Sequence, residues 1–121
     1  MDNNDRPSSS TERYDSMLDT WESLPDLNIA RYGHSSCILG MKMYVLGGFY
    51  NTGQIMNSIE KLEKIAEPAP ITISQWQRID PEQPFRPRTC PVFCAWNKRD
   101  IVILGGYNYR ESVNDGWVFD S

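Results

Sequence analysis

Met43-Tyr44-Val45-Leu46-Gly47-Gly48-Phe49 decides the fold, because it returns 58 residues later as Ile101-Val102-Ile103-Leu104-Gly105-Gly106-Tyr107. Each copy is a short apolar run that halts at two glycines, which is how a buried strand ends at a turn. Upstream, Arg31 stands six residues before Cys37, and Arg88 stands six before Cys94. The two arginines are 57 apart, and Asp100 is read as the one-residue insertion that makes the glycine spacing 58. Downstream, Asn57-Ser58-Ile59-Glu60-Lys61-Leu62-Glu63 aligns with Asn114-Asp115-Gly116-Trp117-Val118-Phe119-Asp120, again 57 apart. Glu12-Arg13-Tyr14-Asp15 is a third copy of that stretch, and a tryptophan follows twice, as Trp21 and Trp76. Ordered landmarks at one shared period are the mark of a repeat architecture.

The segments between these landmarks read as turns. Leu24-Pro25-Asp26 and Asp80-Pro81-Glu82-Gln83-Pro84 bar a helix from running through, because proline lacks the amide donor and restricts its predecessor. The nearest thing to a helical stripe is Ile59, Leu62, Ile65 and Ala66, and the repeat alignment overrules it. Thirteen positions separate Glu63 from Trp76 where six separate Asp15 from Trp21, so the stretch from Ala66 to Thr72 is a loop insertion. An all-β chain is expected.

The order of arginine, diglycine, acid-ended strand and tryptophan resembles the kelch repeat, whose blades are four-stranded antiparallel sheets. The resemblance covers roughly residues 12–120. It implies a partial kelch-type β-propeller of about two blades, after a disordered segment at 1–11. Residues 12–24 then end one blade, 32–80 form a full blade, and 88–120 form an incomplete one. The Tyr-Asp pair that closes the third kelch strand stands intact only at Tyr14-Asp15; it becomes Leu62-Glu63 and Phe119-Asp120. About nine strands are fewer than a closed ring of four or more blades requires. The chain is therefore expected to be a piece of a propeller, completed by further blades or by another subunit.

In such a blade the loops 49–57, 107–114, 24–32 and 80–89 share one rim, and kelch-like propellers often receive a peptide of a partner there. Tyr and Arg are the residue types enriched at interface hot spots. Tyr50, Tyr109 and Arg110 lie outside the repeating signature and are the leading partner-binding candidates. Arg31, Arg88, Phe49 and Tyr107 are repeat equivalents, for which a structural role competes with partner contact. The implied function is protein–protein interaction, with a ubiquitin-ligase substrate or a cytoskeletal protein as the class of partner. The competing expectations are a fragment of a galactose-oxidase-like copper enzyme and a non-functional partial propeller.

Catalysis and cofactors are not expected. His34 is the only histidine, so no set of imidazoles is available for copper. Cys37 and Cys94 share a repeat position suited to a small buried strand residue, which removes the appeal of His34-x2-Cys37 and Cys90-x3-Cys94 as zinc ligands. Neither a Gly-x-Ser-x-Gly elbow nor a phosphate-binding glycine loop is present. Glu60, Glu63 and Asp120 end strands in equivalent places and read as structural. A net charge of −4, with only Lys98-Arg99 and Arg86-Pro87-Arg88 as basic runs, argues against nucleic acid. No stretch has the length and hydropathy of a membrane helix. Three cysteines without a disulfide framework suit a reducing compartment, and the cytoplasm is the expected location.

Overall fold

The computed structural model describes residues 6–65, 72–79, 87–108, 112 and 115–120, and every described regular element is a strand. Strands β1 (Thr11–Asp15) and β2 (Thr20–Leu24) form a two-stranded ribbon. Strands β3 (Ser35–Leu39), β4 (Lys42–Leu46) and β5 (Ile59–Ile65) follow one another in an antiparallel meander. Strands β6 (Thr72–Ile73) and β7 (Gln77–Ile79) both pair with β5, so they act as one fourth strand broken at residues 74–76. Strands β8 (Val92–Ala95), β9 (Asp100–Leu104) and β10 (Gly116–Asp120) repeat the meander. The fold is all-β, with antiparallel sheets that correspond to partial propeller blades.

The hairpins have local causes. The Asp15 carboxylate accepts the amides of Met17 and Leu18, which closes the β1–β2 turn. Asn97 Oδ1 accepts the amides of Arg99 and Asp100 at 2.7 Å each, which shapes the β8–β9 turn. Leu39 faces Lys42 across the first hairpin, and Trp96 donates its amide to Asp100 O in the second. The extra residue of the longer repeat therefore lies in the Asn97–Arg99 turn, and Asp100 itself belongs to β9, not to an insertion.

Side chains alternate across each strand, so every sheet has two faces. Tyr44, Leu46 and Ile59 of the middle sheet face the third sheet and pack with Phe93, Ile101 and Ile103. The opposite face carries Val45 and Leu62, which pack with Leu27 and Trp76, and Leu24 of the ribbon joins them. The middle sheet is thus buried on both faces, and Tyr44, Leu46 and Ile59 are at 1% exposure or less. Each fully buried side chain of this size contributes about 1.5–3 kcal/mol.

Main-chain bonds stitch neighbouring sheets. Gly48 N donates to Arg88 O at 3.0 Å, Arg88 N to Met56 O at 3.2 Å, and Cys90 N to Gly33 O at 3.0 Å. A Cβ on Gly47 would run into Arg88 O, and one on Gly48 into Tyr32 O; both glycines also hold positive φ. This is why the diglycine repeats: the neighbouring backbone occupies the space a side chain would need. The ribbon is tied in the same way, with Arg31 N donating to Ser8 O at 3.1 Å and Leu27 N to Ser9 O at 2.8 Å. Ser8 precedes Asp15 by seven, as Met56 precedes Glu63, so Ser8 is the repeat equivalent of Met56. Order thus begins before residue 12. Of the segment expected to be disordered, residues 6–11 take part in the fold, and residues 1–5 lie outside the described residues.

The cysteines divide. Cys37 is half-buried and packs against the core between the middle and third sheets, whereas Cys94 is exposed and not the buried strand residue expected. The reason is the face it occupies. Phe93 points to the middle sheet, so its neighbour Cys94 points to the far side of the third sheet, which no described residue covers.

Candidate functional site

The residues that end at the shared rim start from two buried arginines. Arg31 enters just before β3 and Arg88 just before β8, and both are buried to 1% exposure or less. Arg31 Nη1 donates to Gly47 O at 3.2 Å and Ser58 O at 3.1 Å, while Nη2 reaches Ser58 Oγ at 3.2 Å and Glu60 Oε2 at 2.7 Å. Arg88 Nη1 donates to Gly105 O at 2.9 Å and Asp115 Oδ1 at 2.8 Å, and Nη2 to Asp115 Oδ2 at 3.0 Å. In each repeat the guanidinium therefore binds the carbonyl of the first glycine and a carboxylate, Glu60 in β5 or Asp115 just before β10. These two side chains are spent inside the scaffold and are not presented to a partner.

The carboxylates reveal the local logic. Asp115 occupies the repeat position of Ser58, two residues before the position of Glu60, so both acids project to the same face of their strands. Burial pulls the Arg31 guanidinium below its ordinary pKa, and the Glu60 carboxylate opposes that pull. The hydrogen bond from Arg88 holds the Asp115 carboxyl down at about 2 against the opposing effect of burial, with further help from a hydrogen bond donated by Trp117. Glu60 does further work: its carboxylate accepts the amides of Asn28 at 2.6 Å and Ile29 at 3.1 Å. One acid thus fixes both the arginine and the connection from β2 to β3. Among the described residues no buried side-chain polar atom lacks a partner.

Above this layer the rim aromatics are placed by short β-bridges. Phe49 bridges Tyr32 and Ile55, and the Tyr32 and Phe49 rings stack with centroids 4.8 Å apart. Tyr107 occupies the same place in the next repeat, bridging Thr89 and Ser112, and is 47% exposed. Tyr50 is half-buried at the start of a turn closed by Tyr50 N to Gln54 O at 2.8 Å and Gly53 N to Tyr50 O at 3.0 Å. The structure thus brings Phe49 and Tyr50 together in one loop, with Tyr107 at the equivalent point of the next. Tyr109 and Arg110 lie outside the described residues.

Sequence reasoning missed Glu60 and Asp115 as the partners of the arginines, and Thr89, whose hydroxyl donates to Gly33 O at 2.6 Å between the sheets. Glu60 shares a strand face with Leu62, and an acid on an apolar face requires a buried cation or donors. That signal was present in the alternation. Burial, with Cys94 nearby, pushes the Cys37 thiol up to about 11, so it sits as a neutral core group. Among the described residues no group of three His, Cys, Asp or Glu side chains is arranged to hold a metal.

The Kelch motif family matches residues 30–63, which run from the residue before Arg31 to Glu63 within β5. Kelch-like protein 36 of Rattus norvegicus is 31% identical over 101 residues, covering 83% of this chain and 16% of that protein. Kelch-like protein 28 of Homo sapiens is 31% identical over 99 residues, covering 82% and 17% respectively. Kelch-like protein 15 of Gallus gallus is 46% identical over 39 residues, covering 32% and 8%. The chain spans about a sixth of the length of the first two relatives.

Proposed function

Because this chain belongs to the kelch-repeat family, we propose that it is a protein-interaction module that holds its partner on the rim bearing Tyr50 and Tyr107 and performs no bond-making chemistry. The observation that carries this function is the construction of the rim. Two aromatic positions, Phe49 and Tyr107, stand on equivalent bridges in repeats whose buried arginines are each paired with a carboxylate, and the loop that follows each differs in sequence. A rigid scaffold with variable loops is the arrangement that serves recognition. Tyr109 and Arg110, three and two residues before Ser112, extend the candidate surface, and Arg31 and Arg88 support it from within. A segment of a ubiquitin-ligase substrate or of a cytoskeletal protein is the partner class that fits the family. Three free thiols suit a reducing compartment, and we place the protein in the cytoplasm.

The test compares opposite rims. Tyr50→Ala combined with Arg110→Ala removes candidate contacts, whereas Met41→Ala alters an exposed residue of the β3–β4 turn. Affinity capture with quantitative mass spectrometry is expected to lose a discrete set of proteins with the first variant and retain it with the second. Equal capture by wild type and both variants sinks the rim assignment.

A further inference from the structure

Four serines of this chain have an acid three residues later: Ser9 with Glu12, Ser16 with Asp19, Ser23 with Asp26 and Ser112 with Asp115. That spacing is the one read by acid-directed serine kinases. Such an enzyme grips the substrate carboxylate with basic side chains while its own aspartate takes the proton of the acceptor hydroxyl. The acceptor segment must leave its own sheet to enter the kinase cleft, and on that ground the four serines separate. Ser9 is half-buried, and its carbonyl receives the Leu27 amide at 2.8 Å. Ser23 lies within β2, paired with Glu12 of β1. Ser112 bridges Tyr107, and its acid, Asp115, is held by both Nη atoms of Arg88 at 2.8 and 3.0 Å.

Ser16 stands apart from these. It follows Asp15, which with Thr20 forms the last cross-strand pair of the ribbon, and the turn residues Ser16 to Asp19 are all exposed. Met17 is 91% exposed and Leu18 71%, so neither face of the ribbon covers the turn. Asp19 holds a φ of 52°, and its carboxylate accepts the Tyr14 hydroxyl, which fixes the acid at the end of the turn.

We propose that Ser16 is the acceptor for an acid-directed serine kinase and that its phosphate loosens the β1–β2 turn. The γ-phosphoryl group passes from ATP to Ser16 Oγ, the hydroxyl proton goes to the base of the kinase, and ADP leaves. The phosphate adds a charge of about −1.5 to −2 at neutral pH. It stands between Asp15 and Asp19, on a chain whose net charge is already −4. The Asp15 carboxylate closes the turn by accepting the amides of Met17 at 2.9 Å and Leu18 at 3.2 Å. A phosphate on the next residue repels that carboxylate and competes for the same donors. The ribbon is only two strands wide, so it has little pairing to hold it once its turn opens.

The test incubates the purified chain with ATP and a recombinant kinase that requires a carboxylate three residues after its acceptor. One phosphoryl group per chain is expected, placed at Ser16 by fragment mass spectrometry, and Ser16→Ala is expected to take none. Asp19→Asn keeps an acceptor for the Tyr14 hydroxyl and a residue type that tolerates positive φ, but it removes the charge. Its rate of incorporation is expected to fall about tenfold or more. After phosphorylation, the amides of residues 11–24 are expected to exchange hydrogen faster in the wild type, and at an unchanged rate in Ser16→Ala carried through the same reaction. Four results overturn the proposal: no incorporation; incorporation at Ser9, Ser23 or Ser112 in place of Ser16; an Asp19→Asn variant that reacts as the wild type does; or exchange that phosphorylation leaves unchanged.

Discussion

The Arg31 guanidinium and the Glu60 carboxylate meet at 2.7 Å with both side chains fully buried. Removing one member of such a pair leaves an uncompensated charge in the core, which costs about 3–5 kcal/mol. Glu60→Gln is expected to lose stability in that range by denaturant titration. The double variant Arg31→Met/Glu60→Leu is expected to lose much less than the sum of the two single changes, because it removes both charges together.

Asp115 offers a pH signature of its ion pair with Arg88. Its folded pKa, about 2, lies below the value for an unfolded aspartate, so the stabilisation it gives is fully present above about pH 4. It is lost as the pH falls toward 2. Asp115→Asn is therefore expected to be less stable than wild type at neutral pH, and the gap between the two melting temperatures is expected to close on acidification.

Glycine substitutions separate backbone strain from crowding. Gly40 has positive φ, and no atom lies within 4 Å of the place a Cβ would take, so Gly40→Ala is expected to cost only the left-handed penalty of about 1–2 kcal/mol. Gly47→Ala carries the same penalty and also collides with Arg88 O. Thermal melts are expected to show a clearly larger loss for Gly47→Ala, together with weaker docking of the third sheet.

The two repeat tryptophans are expected to behave oppositely. Trp76 is 4% exposed, packs with Val45 and Leu62, and donates Nε1 to Pro25 O at 2.9 Å. Trp76→Ala is expected to cost about 3–5 kcal/mol. Trp21→Ala removes an exposed ring, and its melt is expected to stay close to wild type.

Much of this was legible in the amino-acid order, and the reason is periodicity. The diglycine recurs because neighbouring backbone fills the space a side chain would need, and the arginine because its guanidinium binds the carbonyl of the first glycine, so alignment finds both without knowing the contact. Asp115 was hidden because it serves its arginine from a position that holds Ser58 in the other repeat; a two-residue shift keeps the strand face and erases the match. Cys94 was misjudged for a different reason. Equivalence assigns a face, whereas burial depends on whether something covers that face, and nothing in the residues themselves says so. Tyr50 was legible only as a departure from the repeat, which marks a loop free to vary without naming what it meets.

The glycine pair also sets a boundary for change. Contact with the adjoining sheet is made by main-chain atoms of Gly48, Met56 and Arg88, on either side of the 49–55 loop. Side-chain identity within that loop is therefore uncoupled from how the sheets assemble. Selection, or an engineer, can rewrite the loop for a new target while the architecture beneath it keeps its register.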